Sequence, residues 1–212
     1  MLRNNLFYMA NFNHERSVVT MGYASVCGVD EVGRGCLAGP LVAGAVVFDI
    51  VDSEWITRVN DSKKLSPAIR LELSELIKIK AKDWALGLVN AQELDQVGLT
   101  KATELAMKQA IDSLNDVPDY LLLDYVPISS WNQPYQLIKQ GDSSSYSIAA
   151  ASIIAKVHRD EIMTAIDELY PQYDFASNKG YGTKLHMEAL SIHGPCDIHR
   201  RSFSPVQRAG NK

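Results

Sequence analysis

The chain has 212 residues, of which 46% are hydrophobic and 22% charged, and its formal net charge is −4. This is enough for one sizeable core, and it excludes a protein that holds nucleic acid by bulk positive charge alone. No apolar run approaches the length of a membrane span. Three cysteines, Cys27, Cys36 and Cys196, form no CxxC pair. That argues against a disulfide framework or a zinc site and for a reducing, cytoplasmic setting.

Residues 1–23 are polar and lack an apolar signal core or a small-residue cleavage site. They are expected to form an irregular, disordered extension, and secretion is not expected. The first strong signal follows at Val26-Cys27-Gly28-Val29-Asp30-Glu31-Val32-Gly33-Arg34-Gly35. An apolar run delivers two adjacent carboxylates to a glycine-arginine-glycine turn. A second apolar run, Leu41 to Phe48, comes next, so the pattern predicts a hairpin of two strands around a tight loop. Gly33 and Gly35 put no side chain in the way of a ligand approaching the backbone, and Arg34 supplies one fixed positive charge. Carboxylates beside such a turn point to metal ions next to a phosphate. A plain solvated turn accounts for the same residues without any site. Strand alternation adds a constraint, because Asp30 and Glu31 share a site only where the strand ends or twists.

Asp49 to Asn60 is polar and turn-rich. Ser66-Pro67 reads as an N-cap with proline at the first helical position, and Leu71, Leu73, Leu76 and Ile77 predict an apolar helix stripe over 67–80. Trp84 to Val89 reads as a third strand. Gln92 to Gln96 reads as an acidic turn, and Thr100 as the cap of a helix running to about Leu114. Tyr120 to Asp124 is a continuous apolar run, expected to be a strand buried on both faces and ending in an acid. Tyr135 to Lys139 is a further short strand that stops at Gly141-Asp142. The longest helix is expected from Ser143 to about Leu169, with Ala149, Ala150, Ala151 and Ser152 allowing close approach to a sheet. Residues 172–182 read as a loop and Lys184 to Ile192 as a short helix. The tail after Gly194-Pro195 carries His199, Arg200, Arg201, Arg208 and Lys212 and reads as extended. The order predicts an α/β fold: a mixed sheet flanked by helices over 24–170, with a C-terminal appendage over 171–212 packed on the same domain.

Asp124 and Asp142 share a context with Asp30 and Glu31. Both stand where strands end, and functional groups of α/β sheets gather there. Four converging carboxylates suit two hard divalent cations, one activating an attacking water and one stabilising the leaving oxygen of a phosphodiester. Taken singly, Asp142 is more commonly explained as a cap of the long helix, and Asp124 as an ordinary strand-end turn residue; the case rests on the set of four. Asp160 lies 18 residues beyond Asp142, roughly 27 Å along one helix, and reads as a structural partner of Lys156. His186 and His193 read as a surface or packing pair.

These blocks resemble the ribonuclease HII family, the type 2 ribonucleases H. The resemblance runs from about Ser25 to Val206. It is carried by Gly28 to Gly35, Asp61-Ser62-Lys63-Lys64-Leu65, Lys139-Gln140-Gly141-Asp142, Ala149 to Val157, Gly180-Tyr181-Gly182-Thr183 and His199-Arg200-Arg201-Ser202-Phe203. It implies a ribonuclease H-like fold with a C-terminal helical appendage. The implied reaction is endonucleolytic cleavage of the RNA strand of RNA–DNA hybrids and of ribonucleotide-containing duplex DNA. Cleavage falls 5′ of single embedded ribonucleotides and leaves a 5′-phosphate and a 3′-hydroxyl. It further implies Mg2+ or Mn2+ as cofactor, and a monomer without membrane attachment is expected. The family's catalytic, metal-binding acids map onto Asp30, Glu31, Asp124 and Asp142. Its ribose-sensing loop maps onto Gly33, Arg34 and Gly35, and its sugar-stacking tyrosine onto Tyr181. Lys63 and Lys184 are expected phosphate contacts. One departure is Tyr125, where the family commonly has a small residue.

Three other readings compete. A junction resolvase or integrase-like nuclease would share the acids but have no need of a ribose-sensing loop. A non-catalytic binding module gains nothing from four acids beside phosphates. A serine hydrolase built on Ser143 to Ser145 lacks a nucleophile elbow.

Overall fold

A computed structural model describes residues 10–129 and 131–210 of the chain. Five strands form one sheet: β1 (Val26–Val32), β2 (Leu41–Val47), β3 (Asp83–Val89), β4 (Tyr120–Asp124) and β5 (Tyr135–Ile138). Their order is β3-β2-β1-β4-β5. The first three strands make an antiparallel meander, whereas β1–β4 and β4–β5 are parallel. The predicted hairpin is therefore present, with Asp30 opposite Gly44 and Glu31 opposite Ala43.

Helices cover both faces. Helix α2 (Pro67–Lys80) begins at the predicted cap, where the Ser66 hydroxyl accepts the Ile69 N–H. Leu73 and Ile77 of its apolar stripe are buried, but Leu71 is half exposed. Helix α4 (Leu99–Asp112) lies on one face of the sheet with Ala102, Ala106, Met107 and Ala110 inward. Helix α5 (Tyr146–Asp167) lies on the other face. Close packing there is enforced by absent side chains. A Cβ on Gly28 would collide with the Ser147 backbone, and one on Gly44 with the Ala151 carbonyl. The small residues Ala149 to Ala151 meet these gaps, as their sizes suggested, and all three are fully buried.

Several expected loops are helical. Gln92 to Gln96, read as a turn, lies within α3 (Ala91–Val97), whose cap is Asn90 accepting the Glu93 N–H at 2.8 Å. Thr100 is not a cap, because α4 already begins at Leu99 after Gly98. The long helix starts at Tyr146 rather than Ser143; residues 141–143 form a separate 3-10 turn. The loop 172–182 contains the short helix α6 (Phe175–Asn178). Helix α7 (Lys184–His193) is where it was expected, capped by Thr183. The basic tail, read as extended, folds into α8 (Ser204–Gly210). The polar N-terminal stretch is also corrected where it is described. Asn13–Thr20 is a helix, α1, that buries Val18 and Glu15. Residues 1–9 of that expectation lie outside the described residues. No helix among the described residues is long and apolar enough to cross a membrane.

Candidate active site

The sheet topology delivers the acids. Parallel β1 and β4 run side by side with Gly28 beside Leu122 and Val29 beside Leu123. By alternation Asp30 and Asp124 thus emerge on the same, α5-facing side. The chain then leaves β5, passes through Gln140 in a left-handed conformation (φ 57°), and turns so that Asp142 meets them. Asp30, Asp124 and Asp142 each place an oxygen within 4.8 Å of the other two. Asp30 and Asp142 are both 5% exposed. Asp142 caps nothing, since the α5 cap is Ser145, whose hydroxyl accepts the Ile148 N–H. Asp124 Oδ1 accepts the Gly141 N–H at 3.0 Å, which joins the β4 end to the Asp142 corner.

Glu31 follows the alternation rule and does not join this trio. Its carboxylate lies 3.5 Å from the Arg34 guanidinium, and its other oxygen, Oε2, is buried without a partner. It is nonetheless close enough to act on the cluster electrically. Burial, then the charges of Glu31 and Asp124, raise the Asp30 carboxyl well above the usual range, with Asp142 adding to the rise and a hydrogen bond from Ser152 opposing it. Burial also lifts Glu31 from 4.5 to about 7, opposed by Arg34 and reinforced by Asp124. Asp124 is raised by burial and by Asp142, against the Gly141 N–H. Such a set is mutually repulsive when ionised, and the orphaned Oε2 of Glu31 leaves a further hard oxygen unsatisfied. Oxygen donors at this density fit divalent cations.

The Asp61 to Leu65 block closes over the acids. Lys63 Nζ donates to Asp142 Oδ2 at 3.2 Å, and Lys64 Nζ donates to Ser143 Oγ at 3.2 Å. Burial works against the Lys63 ammonium, but the Asp142 charge and hydrogen bond outweigh it and raise its pKa. Buried Ser62 shares a hydrogen bond with Ser152 at 3.0 Å, and Ser152 in turn bonds Asp30. From sequence Ser152 reads only as a small packing residue and Ser62 only as part of its block; neither reads as a partner of the acids. Asp160 pairs with Lys156 at 2.6 Å as expected, and also with Arg70 at 3.4 Å.

The Gly33–Pro40 loop is held from behind by Arg159 and by Arg200, which in sequence reads only as part of the basic tail and of the family-like block. Arg159 and Arg200 are both completely buried. Arg159 donates to the carbonyls of Pro40 (2.9 Å), Lys179 (2.8 Å) and Ala38 (3.1 Å). Arg200 donates to the carbonyls of Gly39 and, at 2.9 Å, Arg34. Burial lowers the Arg200 pKa to about 10, helped by its neighbour Arg159 and opposed by Cys36. The loop N–H groups of Leu37 and Gly39 donate to Gly180 and Ile198 of the appendage. Those of Arg34 and Gly35 donate to no group among the described residues. The two flanking glycines differ. Gly33 has φ 95°, and a Cβ there would strike Arg159, whereas a Cβ on Gly35 would meet open space.

Tyr181 stands beside this loop. Its ring is 42% exposed, with Lys156 Nζ 5.7 Å and Arg159 Cζ 5.9 Å from the ring centre. Its carbonyl bonds His186 Nδ1 at 2.8 Å, and His186 Nε2 meets His199 Nε2 at 3.1 Å. The expected His186–His193 pairing is thus replaced by a buried His186–His199 pair; His193 is exposed. Burial, helped by His186, lowers the His199 pKa to about 4, so the imidazole is neutral at pH 7. Lys184 is set apart from the acids: its side chain is 90% exposed and faces Glu188 at 3.9 Å. Tyr125, next to Asp124, has φ 60° and is 69% exposed, so it turns outward.

The Ribonuclease HII family model matches residues 27–206 of the chain. Ribonuclease HII of Listeria monocytogenes serotype 4a (strain HCC23) is 48% identical over 208 residues, covering 98% of this chain and 78% of the relative. Ribonuclease HII of Clostridioides difficile (strain 630) is 53% identical over 182 residues, covering 86% and 71%. Among solved structures, ribonuclease H2 from Pyrococcus horikoshii OT3 superposes with a TM-score of 0.75 at 26% identity, over 89% of this chain and 98% of that one. The match in sequence over most of the chain is joined by a match in fold, and the chain belongs to the ribonuclease HII family of metal-dependent ribonucleases.

Proposed function

We propose that the protein cuts the RNA strand of RNA–DNA hybrids, and cuts duplex DNA on the 5′ side of a single embedded ribonucleotide, leaving a 5′-phosphate and a 3′-hydroxyl. The observation that carries this reading is the adjacency of two devices on one strand end. Asp30 belongs to the acid trio, and three residues later Gly33 opens the loop with unengaged N–H donors. Asp30, Glu31, Asp124 and Asp142 would hold Mg2+ or Mn2+. Two such ions, when bound, activate the attacking water and stabilise the leaving 3′-oxygen.

The remaining work belongs to the chain's own residues. The free N–H groups of Arg34 and Gly35 read the 2′-hydroxyl, the one group that marks a ribonucleotide within DNA. The bare Cα of Gly35 lets the sugar approach, and Arg34 contributes charge at the neighbouring phosphate. Tyr181 packs its ring on the adjoining sugar and rejects a second hydroxyl by crowding. Lys63 swings from Asp142 to a substrate phosphate, and exposed Lys184 adds a peripheral phosphate contact. Residues 171–212 serve as a substrate-binding appendage on the catalytic domain, and the protein acts as a monomer.

The test is divalent-dependent cleavage of three labelled substrates: a DNA duplex with one ribonucleotide, the same duplex in all-DNA form, and a four-way DNA junction. Cleavage confined to the first, mapped 5′ of the ribonucleotide, is expected. Equal cutting of the junction would replace this reading with that of a resolvase.

A further inference from the structure

Residues 10–20 reach the start of α5, close in sequence to Asp142, from outside both the sheet and the appendage. Asn11 bridges Ser145 in parallel: its N–H donates to the Ser144 carbonyl at 3.3 Å, and its carbonyl accepts the Tyr146 N–H at 3.1 Å. Four residues on, Glu15 is 1% exposed. Its Oε1 accepts the Ser145 hydroxyl at 2.6 Å and the Ser147 N–H at 3.0 Å. The segment is fastened by Phe12, packed edge-on to Tyr146 at 4.9 Å and to Phe48 at 6.1 Å.

Every one of these hydrogen bonds lands on residues 144–147, immediately after Asp142. Asp142 itself sits in a single 3-10 turn, closed by the Ser144 and Ser145 N–H groups on the Gly141 carbonyl at 3.0 and 2.9 Å. One such turn has almost no stability of its own, so its neighbours set its position. On the sheet side the neighbour is Asp124, through Gly141. Exposed Lys63 and Lys64 reach its Asp142 and Ser143 side chains, and on the outer side its neighbours are Asn11 and buried Glu15. A buried carboxylate is costly. Glu15 Oε1 is held by one N–H and one hydroxyl at the start of α5, while its Oε2 is buried without a partner.

We infer that Glu15, together with Asn11, is a positioning residue for Asp142: the N-terminal segment braces the 141–147 corner and so sets the spacing of the acid trio. This rests on the metal-binding reading of Asp142. Glu15 touches neither substrate nor the reacting atoms. Its loss slackens the corner and weakens cation binding before any chemistry occurs.

The test is Mn2+ binding by calorimetry to the full-length, nucleic-acid-free protein, alongside thermal melting. Glu15→Ala removes both hydrogen bonds and is expected to raise the Mn2+ dissociation constant about tenfold, the shift that follows when a charged acceptor is lost and part of that loss reaches the site. Glu15→Gln keeps an acceptor oxygen and is expected to stay within about twofold. Met107→Ala, a buried change in α4 on the opposite face of the sheet, touches neither the segment nor the corner, so Tm falls while Mn2+ binding stays within about twofold. Should Glu15→Ala not fold, Glu15→Asp, whose carboxylate is withdrawn by one methylene, replaces it with a smaller weakening in the same direction. A folded Glu15→Ala or Glu15→Asp with unchanged Mn2+ affinity overturns the inference. So does a set of variants in which affinity loss simply tracks Tm. Asp142→Asn is the reference: strong loss there with none at Glu15 removes only the brace, and no loss at Asp142 removes the metal reading and the brace together.

Discussion

Around Asp30, three carboxylates converge with Glu31 close behind, and among the described residues Lys63 and Arg34 are the cations that pair with them. Behind the Gly33–Pro40 loop, two guanidinium groups are buried against peptide carbonyls, and no carboxylate among the described residues pairs with either. The two regions are three residues apart on one strand end, and they manage charge in opposite ways. The pocket keeps excess negative charge that only arriving cations can relieve. The loop spends its cations on backbone carbonyls, each guanidinium fork locking several at once. One region is therefore tuned for occupancy and the other for fixed shape.

The largest expected effect breaks the pocket. Asp30→Asn should lower cleavage by on the order of 10³ or more, since several kcal/mol of charge stabilisation depend on this ligand. Binding of an RNA–DNA hybrid should be largely kept. The same change should raise the Tm of the metal-free protein by roughly 2–4 °C, because about 1 kcal/mol of repulsion is relieved. Wild-type turnover in this variant would remove Asp30 from the reaction.

A smaller effect sharpens the contrast within the loop itself. Gly33→Ala forces an L-residue to φ 95° and pushes against Arg159, so a stability loss of about 1–3 kcal/mol is expected by denaturant unfolding. Gly35→Ala meets open space and should leave stability unchanged while weakening discrimination between ribose and deoxyribose. Equal Tm losses in the two variants would show that the loop is not held as described.

The smallest effect is a pH dependence of the metal-free protein. Glu31 is raised from 4.5 to about 7, and Asp30 is raised as well. Between those values the folded state binds more protons than the unfolded state, so stability falls as pH rises from about 4.5 to 7. Saturating Mn2+ should flatten this slope. A metal-free Tm that instead climbs through that window would contradict the buried repulsion.

Much of this architecture could be read from the chain. Strands β1, β2 and β4 carried apolar runs and β3 and β5 shorter signals, Ser66-Pro67 announced α2, and the three clustered aspartates stood at or just beyond strand ends as expected. The missed helices had local signals that were overlooked. Asn90 with Glu93 is a cap three residues apart, and Ser204-Pro205 repeats the Ser66-Pro67 pattern. Helix α1 had no such signal; its place depends on Phe12 finding Tyr146 and Phe48, which only folding brings near. The burial of Arg159 and Arg200 was invisible for a related reason. A buried arginine bound to distant carbonyls looks, in sequence, like any surface base. Strand alternation did warn that Glu31 would diverge from Asp30, and it does.

Helix α5 touches every part of this apparatus. Its first turn abuts the Asp142 corner, Ser152 bonds Asp30, and Arg159 pins the loop. These contacts stay in phase only while the count of residues between them is unchanged. One inserted residue would rotate all that follows by about 100° and advance it by ~1.5 Å, turning Arg159 away from the carbonyls it serves. Length variation among related chains is thus expected in the polar connection at 49–60, and to be absent between 146 and 159.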